Sequence, residues 1–171
     1  MTLIDGRDTN AYILDISNTF RNMAAERLAD TLFYTLEKAI KSYRQFAQQN
    51  IDRAGVDITI DQWLVLKTLQ DTPDITLTQV AKDVFKDVAS ITRIIQLLEA
   101  KGFVTRVLHT RDKRRSKLGL TRLGVDTIRM LQPIVSSNRR QAVRGISSRN
   151  IARTHELLDS IAANCIQAPA Q

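Results

Sequence analysis

Apolar residues in this chain recur at steps of three and four almost throughout, so the pattern predicts helices with one short interruption. From Asn10, the positions Ile13, Ile16, Phe20 and Met23 mark one face of a short amphipathic helix. A longer helix follows to about Arg53, with Leu28, Leu32, Leu36, Ala39, Ile40, Tyr43 and Phe46 on one stripe and Gly55 as its terminator. So much apolar surface near the start requires a cover, either the rest of the chain or a second copy of it. Thr59 with Gln62 three residues later is a capping-box pattern that opens a helix through Trp63, Leu64, Leu66 and Leu69, stopping before Pro73. The same box recurs as Thr76 and Gln79 ahead of Val80, Ala81 and Val84, and Asp87 is placed to cap a helix from Val88 to Lys101 that Gly102 ends.

The interruption comes next. Phe103 to Leu108 favours extended backbone, and Lys117 to Leu120 is a shorter second strand. The loop between them, His109 to Ser116, makes the pair a hairpin with a long charged tip. Thr121 then caps a helix to about Arg144, which Pro133 should kink or split. Ser147 or Ser148 caps a last helix with Ile151, His155, Leu158, Ile161 and Ala162 on one face. The fold class is mainly α with a small β-hairpin.

Composition adds bounds. The 171 residues, 43% hydrophobic and 25% charged, suit a globular domain with helical extensions. The single cysteine, Cys165, excludes an internal disulfide and a cysteine-based zinc cage. The start is polar, with no apolar secretory core, and no run approaches the length of a membrane span, so the expected location is the cytoplasm. Charge changes the picture more. Between Lys82 and Arg122 stand 11 Lys and Arg against 4 Asp and Glu, a surplus of +7, while the other 130 residues carry 14 of each sign. A localised surplus of this kind most often meets a nucleic-acid backbone.

The predicted helix from Val88 to Lys101 sorts its residues accordingly. At 100° per residue, Val88, Ile91, Ile94, Ile95 and Leu98 fall inward, and Ala89, Arg93, Gln96 and Ala100 fall outward, flanked by Ser90 and Thr92. Small residues allow close approach to a major groove, Arg93 and Gln96 reach base edges or phosphates, and Ser90, Thr92 and the helix N-terminus suit phosphate. Alone, this face reads equally well as solvated. The hairpin tip shifts the balance, because Arg111, Lys113, Arg114 and Arg115 with only Asp112 opposing repel one another and require an anion, such as a narrow minor groove. Helix, turn, recognition helix and basic hairpin in that order constitute a winged helix-turn-helix.

The run Ser90-Ile-Thr-Arg93, then Leu98-Glu-Ala-Lys-Gly102-Phe-Val-Thr-Arg106, Asp112-Lys-Arg114 and Leu120-Thr121-Arg-Leu-Gly124 resembles the MarR family of bacterial transcriptional regulators. Thr59-Ile-Asp-Gln62-Trp63 is similar to that family's entry into its second helix. The resemblance spans residues 59–124. It implies an organisation of N-terminal extension and dimerisation helices (1–56), winged helix-turn-helix lobe (57–122) and C-terminal dimerisation helices (123–171). It implies a homodimer on a pseudo-palindromic operator, most often a repressor, with Ser90, Thr92 and Arg93 on the recognition helix. Arg114 would be the wing arginine and Asp112 the residue that structures the wing, with Arg93 a candidate partner. It also implies release by a small phenolic or aromatic ligand held between the dimer helices and the DNA-binding lobe. The extension before about Arg27 is longer than the family's usual start.

Other residues have bland readings. His109 and His155 could ligate a metal, but no cluster has ligand spacing, so no metal or cofactor is expected. Cys165 reads as a buried or bystander thiol rather than a redox sensor. Tyr34, Tyr43 and Trp63, with Phe46, are weak candidates for an effector pocket, since aromatics at helical spacing are more often core. Arg139, Arg140, Arg144, Arg149 and Arg153 form a second basic group, suited equally to phosphate or to salt bridges within a dimer. No paired-carboxylate, nucleophile-elbow or phosphate-loop motif supports an enzyme. The remaining rival is a winged-helix interaction module whose hairpin grips an acidic protein, which salt-titrated affinity for random duplex DNA would separate.

Overall fold

A computed structural model describes residues 27–108 and 116–167. The helix expected from Asn10, and the hairpin tip with His109, lie outside the described residues. A 3-10 turn, Leu28–Asp30, precedes α1 (Leu32–Arg53), α2 (Ile60–Asp71), α3 (Leu77–Asp83) and α4 (Val88–Ala100). Strands β1 (Val104–Leu108) and β2 (Ser116–Leu120) follow, then α5 (Arg122–Ala142) and α6 (Ser148–Gln167). Among the described residues the chain is mainly helical with one two-stranded antiparallel sheet, as the periodicity predicts. It divides into two compact units, Met1–Gln45 and Phe46–Gln171, and the division falls inside α1.

In the first unit α1 starts at Leu32, later than its apolar stripe suggests. Leu28 sits in the 3-10 turn instead, where the hydroxyl of Thr31 donates to the Leu28 carbonyl. Leu32, Phe33, Tyr34 and Ile40 are exposed.

The second unit holds the core. Ile51, Trp63, Leu66, Val80, Ile91, Ile95, Leu98, Ile128 and Leu131 are among its buried members. Caps set the ends of the elements around it. Thr59 and Gln62 form the full reciprocal box at the start of α2. At α3 only half of the expected box forms: Thr76 accepts from the Gln79 amide, while the Gln79 side chain turns away to Asp83, 2.6 Å. Gln48 on α1 accepts from the Ile60 amide at 2.8 Å and donates to the Ile58 carbonyl at 3.1 Å, fixing the entry of α2.

The hairpin pairs Val104 with Leu120 and Arg106 with Leu118, and Leu118 and Leu120 pack on the core. Helix α5 runs unbroken through Pro133. Of the expected kink or split, the split does not occur: a proline removes one internal hydrogen bond, and Pro133 is on the exposed side, where water can take the freed carbonyl. Ser147 is the cap of α6, accepting from the Asn150 amide. Arg139, Arg140, Arg144, Arg149 and Arg153 are exposed and make no ion pair with a described residue.

Candidate nucleic-acid interface

Helix α4 is fixed at both ends. The Asp87 carboxylate accepts from the Ser90 amide at 2.7 Å and from the Ser90 hydroxyl at 2.6 Å. These bonds, the hydroxyl one first, hold the Asp87 carboxyl below its ordinary range. At the other end Gly102 takes a φ of +75°, the Gly102 amide donates to the Glu99 carbonyl, and the Phe103 amide donates to the Leu98 carbonyl. That is a Schellman motif, and it turns the chain directly into β1.

Between these ends the faces separate. Ile91, Ile95 and Leu98 are fully buried and Ile94 is half-buried. Ala89, Arg93, Gln96 and Ala100 are exposed along the opposite side. Val88 departs from expectation, being 43% exposed. As the first helical residue it has no preceding turn to lean on, so its side chain overhangs the helix end. Ser90 and Thr92 are half-buried, and their hydroxyl protons are engaged, Ser90 with Asp87 and Thr92 with the Val88 carbonyl at 2.8 Å. The carboxylate of Asp87 thus occupies the helix N-terminus that the sequence reading assigned to phosphate.

The +7 surplus is smaller in space than in sequence. Lys86 pairs with Asp61, Lys101 with Asp57, Lys117 with Asp74 and Arg122 with Asp126, all carboxylates from outside the stretch. Arg106 pairs with Glu99 at 2.7 Å. Among the described cations of the stretch, Lys82 and Arg93 make no ion pair with a described residue. Arg93 thus stands in the middle of the outward face of α4 with no carboxylate partner among the described residues. Arg111, Asp112, Lys113, Arg114 and Arg115 lie outside the described residues, as would any contact of Asp112 with Arg93.

Two residues of the Leu120–Gly124 run join the hairpin to α5. The Thr121 hydroxyl donates to the Gly102 carbonyl at 2.7 Å and accepts from the Gly124 amide at 3.1 Å. Gly124 approaches the Phe103 carbonyl so closely that a Cβ there would lie 2.2 Å from its oxygen. Sequence reasoning missed one prominent residue, Phe85. It stands in the turn between α3 and α4 with a φ of +56° and is 95% exposed. A bulky residue wedged between the end of one short helix and the cap of the next was the available signal.

A cavity of about 520 Å³ lies between α2 and α5, lined by apolar Val125, Ile128 and Pro133 and by polar Lys67, Gln70, Arg129, Gln132 and Ser136. Trp63 is not on its wall. Trp63 is in the core, its indole N–H without a partner among the described residues. Tyr34 is exposed and Tyr43 half-buried. His155 and Cys165 are exposed, so the cysteine is not the buried thiol the sequence allowed. No group of three or more potential metal ligands occurs among the described residues, and no described helix is long and apolar enough to cross a membrane.

Comparison with known proteins places this geometry. Residues 58–116 match the MarR family. The HTH-type transcriptional repressor IacR of Pseudomonas putida is 20% identical over 138 residues, 81% of each chain. The fold is similar to that of Bordetella bronchiseptica BpsR, whose DNA binding is regulated by 6-hydroxynicotinic acid, with a TM-score of 0.72 at 20% identity over 80% of this chain and 96% of that one. It is also similar to S. aureus MepR in its complex with DNA, with a TM-score of 0.70 at 20% identity over 79% and 96%.

Proposed function

We propose, from the match of residues 58–116 to the MarR family, that the chain is a regulator of that type: a cytoplasmic, homodimeric, sequence-specific repressor that binds double-stranded DNA. One observation carries the reading: α4 buries Ile91, Ile95 and Leu98 while presenting small Ala89 and Ala100 around exposed Arg93 and Gln96. That face can enter a major groove, with Arg93 and Gln96 at base edges. The basic tip, Arg111 with Lys113, Arg114 and Arg115, supplies minor-groove and backbone contacts. Because the cations around α4 are largely neutralised, the tip carries most of the electrostatic attraction. Asp87 keeps phosphate from the α4 N-terminus, so Ser90 and Thr92 contribute to DNA binding only after exchanging their internal hydrogen bonds.

Two subunits related by a two-fold axis would place their α4 helices in major grooves about 34 Å apart on a pseudo-palindrome. Helix α6 supports the dimer, since none of residues 148–166 is buried. The proposed organisation is an N-terminal extension and dimerisation helices in 1–56, a DNA-binding lobe in 57–122 and C-terminal dimerisation helices in 123–171. The cavity between α2 and α5 suits a small aromatic carboxylate, its ring on Ile128 and Pro133 and its charge near Lys67 or Arg129. The regulation of BpsR by 6-hydroxynicotinic acid supports that chemistry. Such a ligand acts by binding better to a dimer whose α4 helices are wrongly spaced.

The test is selection of bound duplexes from a random pool, followed by salt titration of wild type and variants. A palindromic consensus is expected. Arg114→Ala should weaken binding and reduce the salt slope by about one unit. Arg93→Ala should relax discrimination between selected and scrambled duplexes. No preference over random duplex, with tight binding of an acidic protein, would make the lobe an interaction module instead.

A further inference from the structure

We infer that Phe85 is a base-reading residue whose ring, held at the tip of the turn before α4, packs on thymine methyl groups in the major groove ahead of Arg93. The inference rests on the DNA-binding reading above and adds a specificity determinant that lies outside the recognition helix.

The turn directs the ring outward. The Phe85 amide donates to the Lys82 carbonyl at 3.2 Å and the Lys86 amide to the Ala81 carbonyl at 2.9 Å. Lys86 is drawn back onto α2 by Asp61, 3.0 Å away. Phe85, its neighbour in the chain, is 95% exposed. Its φ of +56° is a conformation that bulky residues rarely adopt and that glycine adopts freely. Folding therefore gains almost nothing from this ring and would proceed better without it. Outliers of this kind concentrate at functional sites.

The surroundings select the ligand. Val88 overhangs the start of α4 at 43% exposure, and Ala89 follows it, exposed. Phe85, Val88 and Ala89 are thus exposed apolar residues on either side of the Asp87 cap, ahead of Arg93 in the chain. Phosphates and sugars at the groove rim would favour cations and hydroxyls there. The apolar group that the floor of a major groove offers is the thymine methyl, and Phe is one of the side chains that meets it.

The experiment uses the full chain and duplexes selected from a random pool. Phe85→Gly should raise the melting temperature of the protein and weaken binding of the selected duplex roughly tenfold, the loss of about two buried methyls. Replacing each contacted thymine by deoxyuridine should weaken wild type about fourfold and leave Phe85→Gly unaffected. Phe85→Leu should retain part of the discrimination. Equal deoxyuridine penalties in wild type and Phe85→Gly would overturn the inference, as would unchanged affinity of the better-folded variant. If Phe85→Gly alters oligomeric state but not base preference, the ring is a protein contact and the inference falls. If wild type itself shows no preference for any duplex, the functional reading fails first and takes this inference with it.

Discussion

At Gly124 the space for one methyl group decides whether the hairpin meets α5. A Cβ there would stand 2.2 Å from the Phe103 carbonyl oxygen, which is backbone and cannot swing aside. Gly124→Ala should therefore cost about 2–3 kcal/mol, read as a lower urea midpoint, because strand and helix must separate. Gly102 makes an instructive contrast. Nothing lies within 4 Å of its virtual Cβ, yet its φ is +75°. Gly102→Ala should cost about 1 kcal/mol through backbone strain alone, with the hairpin undisturbed. The sequence shows both glycines in a recognisable run, but two different physical demands stand behind them. Only the coordinates separate a crowded glycine from a left-handed one. Phe85 is the converse case, a residue whose cost is invisible until its φ is known.

Helix α4 shows how much of an element is legible beforehand. Its cap, its terminator and the inward trio of Ile91, Ile95 and Leu98 follow from spacing, because a 3.6-residue period fixes which side chains share a face. Val88 escapes that rule, since periodicity assumes a preceding turn. The partners of its flanking cations escape it too: Asp57, Asp61 and Asp74 arrive from other parts of the chain. A local charge count could not subtract them. The cap itself yields a pH prediction. The folded-state pKa of Asp87 lies below its unfolded value, so its stabilisation is complete above the usual carboxylate value of about 4 and fades as pH falls through the lowered folded value. Wild type should melt above Asp87→Ala at pH 7, and the gap should narrow as pH falls below about 4 in parallel thermal scans. A gap independent of pH would mean that the charged cap contributes nothing. Removing this carboxylate also removes an anion from the groove-facing end, so Asp87→Ala should bind DNA no more weakly than its loss of stability dictates.

For the molecule as a whole, the unanswered demand is apolar surface. The sequence already required a cover for its first fifty residues, and the structure extends the requirement to the far end. Val143, Ile146, Leu157 and Ile166 are 40%, 51%, 58% and 84% exposed. A 20-residue amphipathic helix with no buried residue among 148–166 cannot draw its stability from propensity alone, and exposed apolar surface of this kind marks an interaction site. An isologous contact answers it economically, because a two-fold axis lets the same surface serve both partners. Charges placed on that surface should then break the proposed dimer without touching the proposed DNA-reading face. Ile146→Glu with Leu157→Glu should convert a species that sediments as a dimer into a monomer, while α4 and its caps stay intact. Each freed lobe keeps one half-site contact and loses the benefit of simultaneous engagement, so affinity for the full palindrome should fall by about 10²- to 10⁴-fold. Affinity for an isolated half-site should change little. That divergence between full and half sites distinguishes lost dimerisation from damaged recognition, since a defect in α4 or the basic tip would weaken both equally.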